Sequence, residues 1–172
     1  MALAILSVAA VAAARLFGVG ALMTSRARTQ TSATTLAMQK LDELRALRWC
    51  AASASSTLST DTETGLSQAS PTPGGQGLSI SPADTLDRNV TGYVDFLDRL
   101  GQWVGTGSTI PAGAMFIRRW NVASWPGDES NTLVLQVLVT NGAVERARSA
   151  SSPRGRLQGE ALLVGVRTRV SQ

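Results

Sequence analysis

The first 23 residues of this chain contain only two strongly polar side chains, Ser7 and Arg15, and no Pro or Gly interrupts the next stretch, Thr24 to Cys50. An opening of that kind leaves few choices. Met1 to Met23 reads as a helix buried in lipid or among other apolar helices, and the helix continues beyond it. A bilayer core about 30 Å thick takes roughly 20 apolar residues at about 1.5 Å rise each, and the uncharged run ahead of Arg15 covers about two thirds of that length. The segment is therefore a marginal span. A secretory signal would carry a basic region ahead of the apolar core, whereas Met1 opens directly into Ala2, Leu3, Ala4, Ile5 and Leu6. Arg26 and Arg28 follow the apolar run. By the positive-inside tendency they favour keeping the next segment in the cytoplasm unless an upstream leader carries competing charge, so topology stays open.

Past Thr24 the apolar residues Ala33, Leu36, Ala37, Leu41, Leu44 and Leu47 recur at spacings of three and four. They form one stripe of an amphipathic helix, with Gln39, Lys40, Asp42, Glu43, Arg45 and Arg48 on the remaining circumference. Unbroken to about Trp49, the whole helix would be about 75 Å long. Its first part (1–23) would face lipid or a filament core through Leu3, Ile5, Leu6, Val8, Val11, Leu16, Phe17, Val19 and Leu22. Its second part (24–50) would dock on a folded domain through Leu36, Leu41, Leu44 and Leu47. Small residues at Ala9, Ala10, Ala12, Ala13, Ala14, Gly18 and Gly20 permit the close helix approach that association in an apolar medium requires.

The next region, 51–91, is rich in Ser, Thr, Gly and Pro between Ser53 and Ser81, with Pro71, Thr72, Pro73, Gly74 and Gly75 clustered, and reads as loop. Residues 92–172 then carry four strand-like runs: Gly92 to Leu97, Ala114 to Val122, Thr132 to Thr140 and Ala161 to Val170. The alternation predicts that Leu133, Leu135, Val137 and Val139 share one face. Leu162, Val164, Val166 and Val170 share a face likewise, which sets Gln136, Arg167 and Arg169 on the opposite side. Asn141 and Gly142 signal a turn, and the Arg-rich stretch 145–158 is too long for a tight hairpin and reads as a loop. The expected class is α+β, a long N-terminal helix packed on a small antiparallel sheet.

Chemistry is sparsely provided. The chain has no His, which removes the commonest general base, metal ligand and neutral-pH switch. Its single cysteine, Cys50, allows no internal disulfide and reads as a small buried hydrophobe. Asp84, Asp87, Asp95 and Asp98 do not have the spacing of a calcium loop and read as solvated turn and strand-end carboxylates. Trp103, Trp120 and Trp125 read as core or its rim more than as a ligand groove. Net charge is +4, but the arginines, including Arg148, Arg154 and Arg156, are scattered without interleaved aromatics, which weighs against nucleic acid as a partner. Asn89-Val90-Thr91 matches a glycosylation pattern too short to carry weight. No catalytic, cofactor or metal site is assigned, and the expectation is a protein that is not an enzyme.

The stretch Met1 to Val8, the helix Leu36-Ala-Met-Gln-Lys-Leu-Asp-Glu-Leu-Arg-Ala-Leu and the later Phe116-Ile-Arg-Arg-Trp-Asn-Val together resemble type IV pilins and type II secretion pseudopilins, in particular the minor pilins called pilus modification proteins. The likeness covers the first fifty residues and extends weakly to the sheet. It implies a pilin-like fold and a structural role as a minor pilin or pseudopilin. The implied partners are other pilins or pseudopilins, the inner-membrane assembly platform and membrane lipid. The implied location is the bacterial inner membrane, single-pass, with the C-terminal domain in the periplasm or in a surface filament. The family's basic leader, the Gly before its cleavage point, the N-methylated Phe and the Glu at the fifth mature position are not in this sequence, so the expectation is a start codon further upstream. The alternative reading is a membrane-anchored periplasmic binding domain that forms no filament.

Overall fold

A computed structural model describes the backbone of residues 2–49, 77–147 and 159–169, with side chains described from residue 13 onward. The first element, α1 (Ala2–Ala46), is a continuous helix of 45 residues, about 68 Å long at the standard rise. Gly18 and Gly20 do not interrupt it. Thr24, Thr29, Thr31, Thr34 and Thr35 turn their hydroxyls back onto the carbonyls four residues earlier at 2.9–3.1 Å. The helix therefore passes through a Thr-rich stretch of modest helix propensity with those hydroxyls satisfied by its own backbone. It ends three residues before Trp49 without a glycine cap. Arg167 instead donates to the Leu44 carbonyl at 2.9 Å, supplying a partner that the last turn lacks.

Five strands form one antiparallel sheet: β1 (Val94–Leu97), β2 (Trp103–Gly105), β3 (Phe116–Trp125), β4 (Asp128–Asn141) and β5 (Ala161–Thr168), ordered β2-β1-β3-β4-β5. A short helix, α2 (Gly142–Ala147), follows β4 directly. The β3–β4 hairpin turns at Pro126 and Gly127, the latter at a φ of 101°, which suits a type II turn with Pro first and Gly second. The architecture is α+β.

Alternation divides the sheet into two faces. The inner face presents Phe116, Trp120, Val122, Leu133, Leu135, Val137 and Val139 to α1, which lays Ala33, Leu36, Ala37, Leu41, Leu44 and Leu47 across it to make the main core. Trp49 and Tyr93 close its margins. On the outer face a smaller cluster of Val94, Phe96, Ala114 and Ile117 lies beneath Ile110. Beside it Arg119, also buried, bonds Asn89 at 2.9 Å and Glu145 of α2 at 2.9 Å.

The last strand departs from the expectation. Leu162, Val164 and Val166 do share a face, but it is the outer one: they pair with Leu138, Gln136 and Val134, and Val164 and Val166 are about half exposed, at 54% and 53%. The face toward the helix carries Ala161, Leu163 and Gly165, then Arg167 and Arg169. Close approach of the helix is the reason. A Cβ on Gly165 would stand 2.7 Å from Arg45 Nη2 and 3.2 Å from Leu41 Cδ1, so only small residues fit where α1 crosses the edge strand. Val170 lies outside the described residues. The other runs correspond to strands with shifted ends, while β2 and α2 had no counterpart in the sequence reading.

Candidate functional site

Two features stand out: a length of α1 whose described side chains, residues 13–28, are exposed, and a charged cluster where α1 meets the sheet. The helix engages the domain from Thr29, which is half-buried, and Gln30, whose amide donates to the Glu160 carbonyl at 3.0 Å. Residues 2–28 project beyond that point by about 40 Å. Within them Leu16, Phe17, Val19, Leu22 and Met23 are 74%, 77%, 50%, 60% and 64% exposed. At ~2 kcal/mol for burying each such side chain, the isolated chain leaves on the order of 10 kcal/mol of burial unrealised. The helix backbone extends to Ala2, but the side chains of Leu3, Ile5, Leu6, Val8 and Val11 lie outside the described residues. Among the described residues no helix is long and apolar enough to cross a membrane.

Leu36, Leu41, Leu44 and Leu47 all lie in the core at 9% exposure or less. Among them sits a charged group that includes Lys40, expected on the polar side of the helix, and Asp95, expected in solvent. Lys40 is 2% exposed, Asp95 0% and Arg118 1%. Arg118 grips Asp95 Oδ2 through Nε at 3.2 Å and Nη2 at 2.8 Å, and its Nη1 lies 3.4 Å from the Leu36 carbonyl. Lys40 Nζ is 3.4 Å from the same carboxylate oxygen, 3.3 Å from Glu43 Oε2 and 4.1 Å from the centre of the Trp120 ring. Helix, β1 and β3 are thus joined through one carboxylate. Asp95 as a solvated strand-end acid is corrected: Asp95 and Arg118 are cross-strand partners on the inner face, directly beneath the helix. Lys40 was legible in principle, because it lies four residues after Leu36 and four before Leu44, inside the apolar stripe. The cluster is closed to solvent except near Glu43, and its groups neutralise one another. That arrangement fixes the helix on the sheet and offers no nucleophile with a base beside it.

Two other acidic candidates are engaged within their own turns. Asp98 caps its own turn, its Oδ1 accepting from the Leu100 and Gln102 amides at 2.8 Å each, and Asp84 pairs with Arg88. Among the described residues no group of His, Cys, Asp or Glu is placed to hold a metal ion. Trp120 is fully buried, Trp103 is half-buried beside the main core and Trp125 is 47% exposed. Asn89 is engaged on both sides, by Arg119 and by donation to the Ser108 carbonyl at 3.1 Å. Asn141 accepts from the Ala143 amide at 2.8 Å and so opens α2, where the sequence suggested only a turn. Burial raises the Tyr93 hydroxyl above its ordinary pKa, partly offset by a hydrogen bond with Ser81. Cys50, Arg148, Arg154 and Arg156 lie outside the described residues.

A cleft of about 610 Å³ opens between Arg26 and Gln30 of α1 and Asn141, Val144 and Gly159. It is shallow and, among the described residues, brings together no set of titratable groups, so the protruding helix is the stronger candidate site. Comparison with family models, with characterised proteins and with solved structures finds no match to this chain.

Proposed function

We propose that this chain is a type IV pilin-like subunit, a minor pilin or pseudopilin, whose work is structural: α1 is stored in a membrane and then reburied among the helices of a filament. The observation that carries the reading is the division of one unbroken helix. Its C-terminal part is clamped to a sheet by Leu36, Lys40, Leu41 and Leu44, while its N-terminal part offers Leu16, Phe17, Val19 and Leu22 to something outside the domain. A helix apolar on all sides requires an apolar environment. Lipid and a bundle of similar helices both provide one, so transfer between them changes hydrophobic free energy little and leaves packing to decide assembly. On this reading the partners are other pilins or pseudopilins and the inner-membrane assembly platform, and the sheet domain lies in the periplasm or on the filament surface.

The test is fractionation of the chain in its own host. Recovery in sheared surface filaments, or in a membrane fraction cross-linked to other prepilin-type subunits, supports the proposal. A chain found only as a monomer in the membrane under both conditions overturns it in favour of an anchored domain that builds no filament.

A further inference from the structure

The β1–β2 loop is folded so that it holds one apolar side chain out into solvent. Asp98 takes the Leu100 and Gln102 amides on its carboxylate, its own amide donates to the Gln102 carbonyl at 2.8 Å, and its carbonyl accepts from the Gly101 amide at 3.2 Å. Gly101, at a φ of 79°, lies so close to α1 that a Cβ there would stand 2.9 Å from Leu36 Cδ2, which pins the turn to the helix. Leu100, at the tip, is 82% exposed, the highest value among the large apolar side chains described. An exposed Leu is ordinary by itself, but this one has a particular place. Arg99, Leu100 and Gly101 border the same shallow hollow as Thr31, Ser32 and Thr35, so the loop flanks α1 where the helix leaves the domain towards its apolar end.

That flank is basic. Arg28 lies one turn before Ser32 on the side of the loop, and Arg26 lies one turn before Gln30. Both are exposed, as is Arg99, and none of the three forms an ion pair among the described residues. No Asp or Glu occurs between Ala13 and Leu41. Of the acids nearby, Asp98 is engaged by its own turn and Glu145 by Arg119.

We infer that this end of the domain docks on an anionic bilayer surface, with Leu100 in the headgroup layer and Arg28 and Arg99 on lipid phosphates. The inference rests on the membrane part of the reading above. Charge complementarity selects the partner: each basic side chain near an anionic surface strengthens attraction on the order of fivefold, and an apolar tip between arginines suits a layer that is polar outside and apolar beneath. The reach is adequate. Thr31 stands about 12 Å along the axis from Met23, and the loop tip lies about 10 Å from that axis, outside a helix about 5–6 Å in radius. A tilt of about 30° towards the loop, within the usual range of up to 40°, lowers Leu100 to about 5 Å above the level of Met23. The headgroup layer is about 5–7 Å deep. The stored subunit is thus held tilted, with one defined side of its domain down.

The test uses the full chain in a Cys50→Ser background, with an environment-sensitive dye at Leu100→Cys or, for comparison, at Ile80→Cys, which lies beside Trp49 at the other end of the docked helix. Vesicles are phosphatidylcholine alone or with a third phosphatidylglycerol, and the quenchers are aqueous acrylamide and a lipid bearing a nitroxide on its headgroup. With phosphatidylglycerol present, the dye at 100 should be about fivefold less quenched by acrylamide than the dye at 80 and strongly quenched by the nitroxide lipid. Arg28→Glu with Arg99→Glu, both changes at exposed positions, should abolish the difference, as should phosphatidylcholine alone. Equal acrylamide quenching at the two positions overturns the inference. So does a dye at 100 that is shielded from acrylamide yet untouched by the nitroxide lipid, since that shield is protein, or shielding that survives the double substitution. Vesicle flotation separates the two levels: a chain that does not float with lipid overturns the membrane reading as well, whereas one that floats with both dyes equally accessible overturns this inference alone.

Discussion

Replacing Asp95 with Ala should be among the most damaging single changes available in the domain. The carboxylate takes two hydrogen bonds from Arg118, at 3.2 and 2.8 Å, and stands 3.4 Å from Lys40 Nζ. Its removal leaves two cations in a core where both are nearly inaccessible. Losing one partner of a buried ion pair costs about 3–5 kcal/mol, a large fraction of the 5–15 kcal/mol typical of a whole domain. The three members are not equivalent. Lys40→Met leaves the Arg118–Asp95 pair intact and keeps an aliphatic stem over Trp120, so its cost should be only about 1–2 kcal/mol. Arg118→Met strips the carboxylate of its main partner and should approach the Asp95→Ala value. Urea unfolding of the full chain in detergent micelles, followed by tryptophan fluorescence, measures all three, and the larger changes correspond to a fall in Tm of about 6–20 °C. A cost for Asp95→Ala below about 1 kcal/mol, or equal costs for all three variants, would refute the view that one carboxylate holds helix and sheet together.

Further outcomes follow from the same contacts. Gly165→Val should destabilise by about 1–3 kcal/mol in the same unfolding assay, because its Cβ enters the space of Arg45 and Leu41, while Gly165→Ala should cost less because the Arg45 end can move. Arg167→Met should fray the end of α1 and cost about 1 kcal/mol by loss of the Leu44 carbonyl's partner, visible as faster amide hydrogen exchange in the last turn. Tyr93 is the only tyrosine, so its phenolate can be followed by absorbance: with its folded pKa raised by burial, it should titrate above the usual value near 10. The stability it contributes is fully present below the unfolded pKa and is lost as pH rises through the folded one. Tyr93→Phe should flatten that alkaline loss.

The sequence made the elements with long, regular patterns legible. The spacing of Leu36, Leu41, Leu44 and Leu47 marks the docking face of α1, and the strict alternation of Leu133, Leu135, Val137 and Val139 marks the inner face of β4, because burial on one side imposes period on the pattern. Alternation alone does not say which side is buried. Strand β5 carries its larger apolar residues outward, since the helix crosses too close to Gly165 for anything bulky. The charged cluster was hidden for another reason: Lys40 stands inside the apolar stripe, but its partners Asp95 and Arg118 lie far away in the chain, and only the topology stacks the three together. Strand β2 is only three residues long and α2 only six, too short to show a period. Asn141 and Gly142 signal a turn in the sequence, and in the fold the Asn141 side chain caps α2 instead.

The central claim is that the protruding length of α1 is reburied among other protein helices. A photo-reactive phenylalanine analogue in place of Phe17, one of the most exposed side chains of that segment, tests it most directly when irradiated in intact cells of the native host. The account predicts covalent products with other prepilin-type subunits, recovered in the sheared filament fraction. Products with lipid alone, in cells whose filaments are assembled and lack this chain, would contradict it.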